Sequence, residues 1–140
     1  MPSLFTRIIE GDLPATFVWR DEVVVAFMSI NPLKPGHTLV VPRDEVEHWL
    51  DLPGDVRRHM FDVSQVIGRA IQQVWEPAKV GLMLAGLEVA HTHVHVSPIW
   101  SPADLEFGNA AESVSREELE ESAARIREAL RAQGGAGVAG

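Results

Sequence analysis

The chemistry of this chain is concentrated in His91-Thr92-His93-Val94-His95-Val96, which holds three of the six histidines at every second position. Successive side chains on an extended strand point to opposite faces. A strand here would therefore set three imidazoles in a row, with Thr92, Val94 and Val96 behind them. Such a row can do one of three things. It can pack, as a single strand histidine usually does. It can bind a metal, because imidazole is a common zinc ligand. His91 and His95 would lie about 13 Å apart along a strand, so one ion cannot easily take all three, and a two-histidine site would need His37 or Glu88 as a third ligand. Or it can attack phosphorus. A neutral imidazole is a nucleophile when an acceptor on its other nitrogen fixes the tautomer, and flanking histidines can bind phosphate oxygens and protonate the leaving group.

The elements that must position this row follow from periodicity and from breakers. Residues 4–10 form a short amphipathic segment closed by Gly11-Asp12, and Pro14 forces extended backbone at Leu13. Residues 16–20 and 23–27 read as a hairpin, the second strand being apolar enough for both faces to be covered. Two prolines and a glycine make 31–36 a loop, and 37–41 a strand stopped by Pro42. Met60, Val63, Ile67, Ala70, Ile71 and Val74 keep the spacing of one helical face, so a long helix should run from about residue 53 or 55 to 75 and end at Pro77. Residues 80–85 read as a buried strand, 90–98 as the histidine strand and 101–111 as a loop. Ser115-Arg116-Glu117-Glu118 is a capping box that opens a last helix with Leu119, Ala123, Ile126 and Leu130 on one face. The expected class is α+β: about five mainly antiparallel strands, one long helix and short flanking helices. Residues 1–133 are expected to form one domain and 134–140 a flexible Gly/Ala tail.

Composition narrows the function. The net charge of −8 argues against a nucleic-acid polymer as partner, although a small phosphorylated ligand can still be held by local geometry. The absence of cysteine excludes disulfides and thiolate chemistry. With no leader-like N-terminus and no apolar run of spanning length, no membrane partner is expected, and the cytoplasm is the expected location. His48 and His59 fall on polar or helical stretches and read as solvated.

Beyond the triad, Phe27-Met28-Ser29-Ile30-Asn31-Pro32-Leu33-Lys34-Pro35-Gly36-His37-Thr38-Leu39-Val40-Val41-Pro42 and Ile8-Ile9-Glu10-Gly11-Asp12-Leu13-Pro14-Ala15 are similar, in order and spacing, to the blocks of the histidine triad (HIT) family. With His91-Thr92-His93-Val94-His95-Val96, the chain resembles that family's Hint-like branch, and Gly86-Leu87-Glu88-Val89 resembles an actinobacterial subgroup. The resemblance implies the HIT-like fold, a homodimer, and a nucleotide-binding hydrolase or nucleotidyl transferase. Its substrates would be a nucleoside phosphoramidate, an acyl-adenylate or a related phosphoanhydride, and its partner a purine nucleotide or nucleotide conjugate. His93 would be the nucleophile that becomes nucleotidylated, the carbonyl of His91 would orient its ring, His95 would contact phosphate and leaving group, and His37 would support the row. Phe5, Ile8, Leu13, Phe27 and Ile30 would line the base and sugar pocket.

Four departures accompany the resemblance. The positions where many relatives hold zinc with Cys-x-x-Cys and a histidine are Ser3, Thr6 and Glu45, so neither metal nor cofactor is expected. Ser29 stands where an aspartate often holds the ribose. Leu87-Glu88 replaces a Gln-Ser pair that donates to phosphate, and a carboxylate repels phosphate unless protonated, paired or turned away. The usual pocket asparagine has no match in Gly81-Leu82-Met83-Leu84. A nucleotide-binding regulatory module with little turnover is the alternative these departures favour.

Overall fold

A computed structural model describes residues 2–139. In chain order the elements are α1 (Leu4–Ile9), β1 (Phe17–Arg20), β2 (Val24–Met28), β3 (Thr38–Pro42), α2 (Gly54–Trp75), β4 (Lys79–Met83), β5 (Val94–Ile99) and α3 (Arg116–Ala132). The five strands form one antiparallel sheet in the order β1-β2-β3-β5-β4. This is the expected α+β architecture.

The sheet has two covered faces. Val24, Ala26, Met28, Val40, Val94 and Val96 pack under α2 and α3, against Met60, Val63, Ile67, Ile71, Ala123, Ile126 and Leu130. The alternate residues Val25, Phe27, Leu39 and Val41 pack on the other face against Phe5 and Ile8 of α1. Every residue of β2 and β3 is buried, which is why both strands read as unbroken apolar runs. Period two then decides where the chemistry goes. His95 lies opposite Leu39 in register, so its side chain belongs to the α1 face, while Val94 and Val96 feed the α2 core.

The histidine strand is shorter than the pattern predicts. It begins at Val94, not near residue 90, so His91 and His93 lie on its lead-in loop. The ladder with β3 stops because Pro42 has no N–H to extend it, and the His91 ring takes the Pro42 carbonyl. The lead-in is held instead by the Thr92 amide and hydroxyl, both donating to the Val46 carbonyl at 2.8 Å.

The run 134–139, which composition marks as a loose tail, lies along β1. The Arg20 amide donates to the Gly137 carbonyl at 2.7 Å, the Ala139 amide to the Val18 carbonyl at 3.1 Å, and Val138 bridges Trp19. Glycine serves close approach here, because a Cβ on Gly137 would run into the Trp19 ring.

His59, expected to be solvated, meets Asp21 at 2.6 Å through Nε2. Asp21 also accepts from Trp19 Nε1 and from the amides of Val23 and Val24, each at 2.8 Å. Burial alone would push this carboxyl up, but the bonds from Trp19, Val24, His59 and Val23 outweigh it and bring it down to about 2. The folded value lies below the unfolded one. The stabilisation is therefore complete above about pH 4 and is lost as pH falls through about 2. With allowance for solvent screening, Asp21→Ala should destabilise by about 1 to 2 kcal/mol at pH 7. Urea unfolding at pH 7 and pH 2.5 checks this: the gap between wild type and variant should shrink at the lower pH.

Candidate active site

The α1 face of the sheet opens into a cavity of about 760 Å³. Its floor is His37, Leu39, His93 and His95, and Phe5, Ile8, Leu13, Phe27, Ser29, Ile30 and Glu88 all line it. Every candidate catalytic or nucleotide-binding residue of the sequence thus borders this cavity, except His91.

The hydrogens of the four histidines are fixed by their partners, because a carbonyl only accepts and an amide N–H only donates. His93 Nδ1 donates to the His91 carbonyl at 2.7 Å, so the lone pair of His93 is on Nε2. His91 Nε2 donates to the Pro42 carbonyl at 2.7 Å, so its Nδ1 accepts, from the Ser3 hydroxyl at 2.7 Å. The Leu33 amide donates to His37 Nδ1 at 3.0 Å, which puts the His37 proton on Nε2, 3.0 Å from His95 Nδ1. His95 must accept there, so its own N–H is on Nε2. The arrangement presents an imidazole lone pair on His93 beside an N–H donor on His95, with ring centroids 4.9 Å apart.

The turn that delivers His37 depends on its motif. The His37 amide closes onto the Lys34 carbonyl at 3.0 Å, and Gly36 has φ 101°, left-handed backbone that favours glycine. A Cβ on Gly36 would stand 2.8 Å from the Trp75 ring. The Pro-Gly-His block therefore seats the turn against the end of α2 while its histidine reaches under β5.

Burial keeps the row neutral. It lowers His37 to about 4, with the neighbouring His93 adding to the effect. It lowers His95 to about 3, with His37 and His93 adding to it. His93 is also held below the usual histidine value by burial, against which its bond to the His91 carbonyl and the charge of Glu88 work upward.

The apolar half of the cavity is aromatic. The Phe5 ring stands edge-on to His93 at 4.8 Å and to Phe27 at 5.5 Å. Phe5, Ile8 and Phe27 are buried in the α1 cluster, Leu13 is half-buried beside them, and Ile30 stands at the rim, 69% exposed. Ser29 is buried at the cavity wall, its hydroxyl accepting from the Asn31 amide at 3.3 Å. Glu88 is exposed at the mouth.

One side of the site was not legible from periodicity. Residues 101–111, which read as a loop, contain two short 3-10 turns, Pro102–Leu105 and Phe107–Asn109. The second presses Phe107 onto His95 with centroids 4.9 Å apart. Asn31 ties the segment down by donating to the carbonyls of Ala111 and Glu112, and Arg116 at the start of α3 joins the lining. The signal available was a lone aromatic, Phe107, in a stretch without periodicity.

Among the described residues, no group of three or more His, Cys, Asp or Glu is set to hold a metal ion. No helix among them is long and apolar enough to cross a membrane.

The HIT domain model matches residues 10–99, more than half of the chain. Protein hit of Bacillus subtilis is 33% identical over 106 residues, covering 72% of this chain and 73% of that protein. Adenylylsulfatase HINT3 of Arabidopsis thaliana is 27% identical over 100 residues, 68% of this chain and 51% of its own length. Among solved structures, a hypothetical histidine triad nucleotide-binding protein from Sulfolobus tokodaii superposes with TM-score 0.81 at 26% identity, covering 91% of each chain. A zinc-bound histidine triad family protein from Mycobacterium smegmatis gives 0.79 at 28% identity, covering 95% of this chain and 96% of that one. A triad of fixed tautomers under a short helix, on a five-stranded sheet shared with these proteins, makes this chain a member of the HIT family, which includes nucleotide-binding proteins and hydrolases.

Proposed function

We propose that this protein is a nucleotide hydrolase or nucleotidyl transferase acting on a nucleoside phosphoramidate, an acyl-adenylate or a related phosphoanhydride. The observation that carries the proposal is the tautomer of His93. With Nδ1–H engaged by the His91 carbonyl, Nε2 is a neutral nucleophile beside the cavity. Attack by Nε2 on the α-phosphorus forms a P–N bond and breaks the bond to the leaving group. Water then cleaves the nucleotidyl-histidine, or another acceptor takes the nucleotide. His95 Nε2–H donates to a phosphoryl oxygen or to the leaving atom. A carboxylate leaving group needs no proton. An amine does, and an anionic phosphate beside His95 raises that imidazole toward the range where it can carry one.

The purine would lie between Phe5, Ile8, Leu13, Phe27 and Ile30, with Ser29 nearest the sugar. The test is to incubate the protein with adenosine phosphoramidate and with an acyl-adenylate, and to follow release of the nucleoside monophosphate. Rapid acid-free quenching and peptide mass spectrometry should find the nucleotidyl adduct on His93. No release from either compound at protein concentrations near the substrate's would sink the proposal.

A second reading, a nucleotide-binding module with little turnover, is favoured by Glu88 at the mouth of the cavity, where its charge repels phosphate. Calorimetry separates the two: nucleoside monophosphate binding without turnover of any conjugate favours the module. We also propose a homodimer through β4, an edge strand of the sheet, beside which Leu82 and Phe61 are 43% and 60% exposed. Light scattering should return twice the chain mass, and Leu82→Lys with Phe61→Lys should return it to one.

A further inference from the structure

His91 is the one member of the triad that does not border the cavity, and its surroundings are unusually well connected. Glu45 Oε1 accepts from the Ser3 amide at 2.6 Å and from the Thr6 hydroxyl at 2.7 Å. The Ser3 hydroxyl accepts from the Thr6 amide at 3.0 Å, capping α1, and donates to His91 Nδ1 at 2.7 Å. His91 Nε2 donates to the Pro42 carbonyl, and the His91 carbonyl receives His93 Nδ1–H. The links join positions 42 and 88 residues apart in the chain.

The zinc that the family pattern implies does not fit here. Zinc prefers thiolate and imidazole ligands, and Ser3 and Thr6 offer hydroxyls. Both hydroxyls already donate, to His91 and to Glu45, and the one acceptor nitrogen of His91 is taken by Ser3. Glu45 is held below the ordinary carboxyl value, first by the Ser3 amide and then by Thr6, as expected of a carboxylate whose partners are hydrogen-bond donors.

We infer that Glu45, Thr6 and Ser3 form a metal-free clasp that positions His91 and, through the His91 carbonyl, fixes the tautomer of His93. Glu45 anchors the Ser3 main chain, Ser3 anchors the His91 ring, and the anchored His91 holds its carbonyl on His93 Nδ1. Glu45 and Ser3 are thus positioning residues for the reaction proposed above, and the inference rests on that reading for its effect on rate but not for its geometry. The clasp also pins the start of α1, the helix that supplies Phe5 and Ile8 to the cavity. One set of hydrogen bonds therefore sets the nucleophile and seats the wall beside it.

The test uses the full chain labelled with ¹⁵N at histidine. Long-range ¹H–¹⁵N correlation should show His91 as the Nε2–H tautomer and His93 as the Nδ1–H tautomer. Adding a chelator should change neither these signals nor the Tm. In Glu45→Ala and Ser3→Ala, the His91 signals should move toward tautomer averaging and His93 should lose its single Nδ1–H signature, with kcat down about tenfold and KM within twofold. Glu45→Gln keeps an acceptor for both donors and should restore the wild-type spectrum. Ser3→Ala also loses the helix cap; if it does not fold, Glu45→Ala carries the test. Histidine signals unmoved in Glu45→Ala, even with a lower Tm, would overturn the clasp as a positioning device. Stoichiometric zinc with a His91 spectrum that changes on chelation would overturn it as metal-free. If the wild type turns over no nucleotide conjugate while the variants still move the His91 and His93 signals, the clasp stands and only the proposed activity falls.

Discussion

His93→Asn should lower turnover of adenosine phosphoramidate by about 10³-fold or more while leaving nucleoside monophosphate binding within about threefold. The choice of asparagine matters. His93 is buried, and its Nδ1–H satisfies the buried His91 carbonyl. His93→Ala would leave that carbonyl unpaired at a cost of about 1 kcal/mol or more and would open a gap beside Phe5. A carboxamide N–H can still reach the carbonyl, so the asparagine variant removes the nucleophilic lone pair and retains the anchor. Both variants should fail to accumulate the nucleotidyl adduct, and a melting curve should show a smaller loss of stability for asparagine than for alanine. If both variants turn over at the wild-type rate, His93 is not the nucleophile. Loss of binding in step with loss of turnover would instead assign His93 to ground-state recognition.

The parts of this site that were legible in the sequence are those fixed by local rules. Period two along β5 puts His95 on one face and Val94 and Val96 on the other, and the apolar runs of β2 and β3 announce two covered faces. The helical spacing of Met60, Val63, Ile67 and Ile71 marks α2 to within a residue or two of its observed bounds. What was not legible depends on contacts between distant positions. The strand was expected from residue 90 because His91 and His93 continue the alternation. It begins at Val94 because the Pro42 carbonyl is claimed by the ring of His91, 49 positions from it in the chain. Residues 134–139 look unstructured by composition, yet Gly137 allows the Trp19 ring to lie against the backbone. Ser3, Thr6 and Glu45 read as losses of a family feature, and only their mutual distances turn them into a connected set. Phe107 gives no periodic signal, and its position over His95 follows from the Asn31 bonds that draw its segment across.

His95→Ala should lower kcat by about 10²- to 10³-fold, the second-largest effect expected of a single change at this site. The ring donates through Nε2 only because His37 Nε2–H occupies its Nδ1, and His37 donates there only because the Leu33 amide occupies its own Nδ1. A main-chain amide thus sets the polarity of a two-imidazole chain. His37→Ala should therefore cost less than His95→Ala, about tenfold, because the donor survives but is free to present its lone pair instead. A larger loss in His37→Ala than in His95→Ala would contradict this order.

The pH dependence follows from the same burial. His37 and His95 protonate only near 4 and 3 in the folded state, against about 6.5 when unfolded. Folded values lie below unfolded ones, so the unfolded chain takes up more protons as pH falls below 6.5. Stability is full above that value and declines through pH 4, by up to about 1.4 kcal/mol per pH unit for each group. Urea midpoints should fall between pH 7 and pH 4 in the wild type and fall less steeply in His95→Phe, which removes one of the two groups. The acid limb of kcat/KM should lie below the ordinary histidine range, because burial keeps the row neutral in the unliganded protein. An acid limb at 6.5, unchanged in His37→Ala and His95→Ala, would assign the limb to a group other than these two that titrates as an ordinary histidine.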